Sequence, residues 1–167
     1  MSSIIYSINK YIALGIIGAL ITLYGYGQDS PQTYYIIGSF ALLVTAIHYK
    51  LLYFIALEII LAAGHLAILL DVGRYTQMAL PVLLCLQLLI FYLMIGKENS
   101  IFLLTGIIGI ALHSIGFTYE NQWIFFSGSS LIAIYAYHSA FKGSYPSYIW
   151  AILNTVFALL VLYKLFL

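Results

Sequence analysis

Glu58 is the acidic residue of this sequence that lies inside a long uncharged run, 51-LLYFIALEIILAAGHLAILL-70. A carboxyl at membrane depth is costly, so an ionisable group there is a candidate site by default. Eight residues past Lys50, it is expected ~12 Å below the surface of a helix-crossed bilayer. Surrounded by hydrocarbon, such a group can hold and release a proton. Gln87 and Asn154 are expected at a similar depth, so Glu58, Gln87 and Asn154 form a predicted mid-membrane polar belt. His65 follows Glu58 by seven residues and His113 precedes Glu120 by seven, two helical turns on one face in each case. The order Glu58, His65, His113, Glu120 is therefore read as a candidate proton path towards the opposite surface. A second chemistry uses the four histidines in pairs. His48 with His138, and His65 with His113, have the types and depths of axial ligands for two b-type haems.

These side chains need elements to hold them, and the composition names the solvent of those elements. The chain has 167 residues, of which 64% are hydrophobic and 7% charged. Soluble domains carry roughly 25% charged residues. A soluble globule, a disordered chain and a nucleic-acid binder are thereby excluded. The net charge of +1 gives no bulk field for polyanions, and the single Cys85 rules out an internal disulfide framework.

Ten charges, Lys10, Asp29, Lys50, Asp71, Arg74, Lys97, Glu98, Glu120, Lys142 and Lys164, divide the chain into runs near 8–26, 33–49, 51–70, 76–96, 100–118, 123–141 and 147–166. Each is long enough to cross a ~30 Å hydrocarbon core at ~1.5 Å per residue. Backbone groups in lipid must be satisfied within the segment, so these runs are predicted as α-helices. The expected fold is all-α, a polytopic membrane protein of seven transmembrane helices in one domain, 1–167. Lysines in the alternate loops place the N-terminus in the cytoplasm and the C-terminus on the opposite side of a cell or inner membrane. The run after Lys10 ends in the small-x-small triplet Gly25-Tyr26-Gly27 and so has the outline of a secretory signal. The internal repeat described next predicts instead that it is retained as helix 1. Tyr6, Tyr11, Tyr24, Tyr26, Tyr34, Tyr35, Trp123, Tyr145 and Tyr148 are read as an interfacial aromatic belt. Pro81 is expected to kink helix 4 and free a carbonyl beside the polar belt.

The two halves repeat. The segment 15-GIIGALITLYGY-26 returns as 106-GIIGIALHSIGF-117, and 34-YYIIGSFALLVTAIH-48 returns as 124-IFFSGSSLIAIYAYH-138. Helices 3 and 7 match less closely, with Asn154 the rough counterpart of Glu58. Two three-helix units (about 8–70 and 100–166) joined by the single helix 76–96 form a 3+1+3 parallel repeat, a known route to transporter folds.

The helix around Leu57-Glu58-Ile59, preceded by Lys50 in a basic loop, resembles the second helix of the NuoK-type small membrane subunit of complex I and its MrpC relatives in cation/proton antiporters. The resemblance spans about residues 40–70 and implies a proton-handling role for Glu58. That family carries a second glutamate on its next helix, where this sequence has Gln87. The 3+1+3 layout resembles SWEET and other PQ-loop transporters in topology alone, since Pro31-Gln32 lies in a loop and the second half has no such pair.

Three function classes follow. The first is a protein moving protons, cations or a small solute through Glu58, Gln87, Asn154, His65, His113 and Glu120. The second is a haem- or quinone-linked electron-transfer protein. The third is a non-catalytic membrane subunit or assembly factor. With no nucleophile–base constellation, an enzyme is not the expected class. No resident cofactor is expected outside the haem alternative. The expected partners are the lipid bilayer, with further copies of the chain or partner membrane subunits beside it, and no nucleic acid.

Overall fold

Each uncharged run becomes a helix. A computed structural model describes residues 2–95 and 101–167, with side chains described for 10–94 and 101–167. The helices are α1 (Ser2–Gly25), α2 (Pro31–His48), α3 (Leu52–Leu69), α4 (Arg74–Ile95), α5 (Ile101–Tyr119), α6 (Gln122–Phe141) and α7 (Tyr148–Phe166), the last preceded by a 3-10 turn at Tyr145–Ser147. Among the described residues there is no strand. Lys97, Glu98 and the Tyr6 side chain lie outside the described residues. Five of the helices, α3 to α7, are each long and apolar enough to cross a bilayer, and the chain is an integral membrane protein. In α1 the apolar helical stretch is Lys10–Gly25, and α2 is diluted by Gln32, Thr33 and Ser39.

Three of the loop charges mark helix ends for a backbone reason as well as a solvation one, whereas Lys10 lies inside α1. Lys50, Asp71 and Glu120 have φ of 55°, 48° and 53°. Each is followed by a residue whose N–H reaches back into the last turn, Leu51 to Ala46 O at 2.9 Å, Val72 to Ala67 O at 3.3 Å and Asn121 to Gly116 O at 3.1 Å. These left-handed residues close the orphan carbonyls of α2, α3 and α5 and turn the chain sharply. Gly143, with φ of 103°, closes α6 in the same manner through Ser144 and Ser139 O.

Consecutive helices pack side by side, α7 returns to α1, and α3 also touches α5 behind α4. Helix α4 thus stands at the periphery, burying Gln77, Pro81 and Cys85. Pro81 sits inside α4 and cannot donate to the Gln77 carbonyl four residues earlier. That carbonyl accepts instead from Thr118 Oγ1 on α5, at 3.5 Å. The expected free carbonyl beside the polar belt is therefore spent on a neighbouring helix.

Small residues set the closest approaches, as they do wherever helices associate without a hydrophobic driving force. A Cβ added at Gly128 of α6 would run into the backbone of His113 on α5, and one at Gly38 of α2 into the side chain of Thr22 on α1. Gly128→Ala is expected to lower stability by about 1–3 kcal/mol, the usual cost of overpacking. Gly27→Ala serves as its control, because the nearest atom to its added Cβ is Tyr24 O at 3.9 Å. Denaturation of the two purified variants in the same detergent measures the difference.

Candidate functional site

The α3 face Leu57, Glu58, Leu61, His65 looks into the bundle because its members recur at three, four and seven residues. It meets Tyr35, Ser39 and Leu42 of α2, Leu153, Asn154 and Phe157 of α7, His113 and Phe117 of α5, and Thr22 of α1 around one internal cavity. The cavity measures about 20 Å³, room for about one water molecule.

Glu58 is 2% exposed. Its Oε1 accepts a hydrogen bond from Trp150 Nε1 at 2.7 Å. Ser39 faces the same carboxyl from α2. Asn154, one turn after Trp150 on α7, donates from Nδ2 to Trp150 O at 2.9 Å, which leaves its Oδ1 as an acceptor. His113 Nδ1 pairs with Ser129 Oγ of α6 at 3.1 Å. His65 is 4% exposed, and its Nδ1 has no hydrogen-bond partner among the described residues.

Aromatic rings flank the site on both sides. On the N-terminal side of α3, Trp150 stacks on Phe54 at 4.5 Å, Phe54 meets Tyr53 edge-on at 5.0 Å, and Tyr53 packs on Tyr135 at 3.9 Å. The Tyr53 hydroxyl donates to Gly106 O at 2.9 Å. On the other side His65 lies against Tyr35 at 4.8 Å and Phe117 at 4.6 Å. Tyr35 and Phe117 also line a second, larger pocket of about 300 Å³ that carries Asp29, Glu120, Lys164, Gln28, Gln32 and Gln122. There Lys164 lies over the Tyr26 ring at 5.8 Å, and the Tyr26 hydroxyl donates to Gln122 Oε1 at 3.3 Å.

Glu58, Asn154, His65 and His113 thus come together. Gln87 does not, for it is exposed on α4, and no α4 residue lines the cavity. The polar belt is a pair, Glu58 and Asn154, because α4 lies outside the α3–α5 contact. Glu120 is exposed and belongs to the larger pocket, separated from His113 by the Tyr35–Phe117 layer. Tyr35, expected at the interface, is 2% exposed and forms part of that layer.

The histidines do not fit bis-histidine haems. His65 and His113 share the 20 Å³ cavity, with Phe117 packed on both rings at 4.6 and 4.9 Å, and a macrocycle needs far more room. His48 stacks on Tyr11 at 3.7 Å and His138 on Phe102 at 3.8 Å, each against the helix before its own.

Trp150 was hidden from sequence reasoning, which treats a tryptophan near a helix start as an interfacial anchor. The available signal was its spacing, one turn before the buried Asn154. Trp150→Phe keeps the stack on Phe54 and removes the donor to Glu58. It is expected to cost about 1–3 kcal/mol, the penalty of leaving a buried acceptor without its donor. In a double-mutant cycle with Glu58→Gln the two losses should fall short of additive, as read by denaturation in detergent.

No known protein family matches the chain, and no curated protein or solved structure matches it either.

Proposed function

We propose that this protein moves protons, or a cation or small solute coupled to them, across the bilayer, with Glu58 as the proton-handling carboxylate. The observation that carries the reading is the placement of Glu58 in a water-sized cavity shared with His65, His113 and Asn154. A buried carboxyl with one strong donor and an adjacent polar gap suits a group that is loaded and unloaded in turn.

All seven helices cross the membrane in this reading. The N-terminus and the lysines at positions 10, 50, 97 and 142 are cytoplasmic. The larger pocket with Asp29, Glu120 and Lys164 then opens to the opposite side. Protons reach Glu58 from that pocket past Tyr35 and Phe117, and leave towards the cytoplasm when the Phe54–Trp150 stack parts. Alternate opening of two aromatic layers around one fixed site is the general logic of secondary transport.

A parallel duplication supports the reading. Helices α1, α2 and α3 pack in sequence as α5, α6 and α7 do, and α1 touches α7 as α5 touches α3. Tyr11 stacks on His48 as Phe102 stacks on His138. Gly15 approaches Thr45 as Gly106 approaches Tyr135, offsets of 91 (106 − 15) and 90 (135 − 45). The likeness of the Leu57-Glu58-Ile59 helix to the NuoK-type subunit points to the same carboxyl.

Reconstitution of the purified protein into vesicles with an imposed pH gradient tests the proposal. The wild type is expected to dissipate the gradient faster than empty vesicles, and Glu58→Gln to lose that activity. Equal rates for the two would remove Glu58 from the mechanism and favour a non-catalytic membrane subunit.

A further inference from the structure

The cavity beside Glu58 combines a size, a set of acceptors and a wall that together select one class of ligand. Its volume of about 20 Å³ admits a single particle the size of water. Its acceptors are the Glu58 carboxyl, Asn154 Oδ1 and His65, which makes no side-chain hydrogen bond among the described residues although its Nδ1 is buried. The remaining wall includes the aromatic side chains Tyr35, Phe117 and Phe157, whose π systems attract a desolvated cation.

Resting on the reading of Glu58 given above, we infer that this cavity binds the ammonium ion and that ammonium is the cation the protein handles. Ammonium has nearly the dimensions of water and donates four hydrogen bonds in a tetrahedron. Three directions meet Glu58, Asn154 and His65, and the fourth meets the aromatic wall. The carboxylate supplies the countercharge. Alkali-metal ions suit the cavity less well, because sites for them replace a hydration shell with a ring of oxygens. Here the oxygen-bearing side chains are Thr22, Tyr35, Ser39, Glu58 and Asn154, of which Thr22 is turned to Gly18 O and Ser39 to Glu58, and one acceptor is an imidazole nitrogen. Larger ammonium ions such as choline exceed the volume. The larger pocket outside Tyr35 and Phe117, with Asp29 and Glu120, gathers cations before they enter.

Trp150 is a built-in reporter, since its indole donates to the same carboxyl. The chain has two tryptophans, and Trp123→Phe removes the exposed one. The full-length variant is titrated with ammonium chloride, sodium chloride and choline chloride at constant pH and ionic strength while Trp150 emission is followed. A saturable change with ammonium alone is expected, lost in both Glu58→Gln and His65→Phe. If Glu58→Gln does not purify as a folded protein, His65→Phe decides by itself, because phenylalanine preserves the ring contacts and removes the nitrogens. An equal response to sodium, the absence of a saturable response, or its persistence in His65→Phe overturns the inference. Glu58-dependent dissipation of a pH gradient without any ammonium response overturns this inference alone and leaves the cavity to water. Loss of both removes both.

Discussion

In the interior of a helical membrane protein a carboxyl has no bulk water to accept from, so its donor must come from another part of the chain. For Glu58 the donors are the indole N–H of Trp150, 2.7 Å away and 92 positions along the sequence, and the Ser39 hydroxyl of α2. Much of the architecture follows from keeping Glu58 and Trp150 together. Helices α3 and α7 must face each other through the bundle interior at matching heights. Phe54 fills the space beside Trp150, and α4 is displaced to the periphery. The close approaches of α1 to α2 and α5 to α6 draw the remaining rings inwards. An unpaired carboxyl here would cost several kcal/mol, more than most single contacts in the bundle contribute.

On the duplicated reading proposed for the chain, the site is where the two halves have diverged. Gly15 packs on Ile149 and Gly106 on Tyr53, an offset of 96 (149 − 53) between α3 and α7. The same offset relates Phe54 to Trp150 and Glu58 to Asn154. One half supplies the acid and the other the donor and the amide. A symmetric pair of carboxyls would repel, and a symmetric pair of indoles would have nothing to donate to. Unequal residues at equivalent positions turn a packing repeat into a polar centre.

Helix positions were legible because charged side chains are rare within the apolar runs and gather near their ends. The run near 51–70 became Leu52–Leu69, and the run near 123–141 became Gln122–Phe141. Glu58, His65, His113 and Asn154 were singled out because polar groups in such runs are few. Gln87 satisfied the same criteria and failed, since depth along a helix says nothing about which way the helix is rotated against its neighbours. Tyr35 failed in the opposite direction, for a tyrosine near a helix end anchors at the interface or turns inwards according to the packing opposite it. Trp150 carried no mark of its role beyond its spacing one turn before Asn154, because its partner lies on a helix remote in sequence.

By itself, then, the sequence determined the solvent, the helices, their ends and the identity of the one carboxyl that must be satisfied in lipid. Those properties are local, set by the transfer energies of consecutive side chains and by the backbone's need to bond within its own segment. The tertiary structure alone decided which groups satisfy that carboxyl and which do not. It put Trp150 on Glu58, Ser129 on His113 and Thr118 on the carbonyl freed by Pro81, and it left Gln87 outside. Such pairings depend on helix rotation and on contacts between distant segments, and no periodicity within a single helix encodes them.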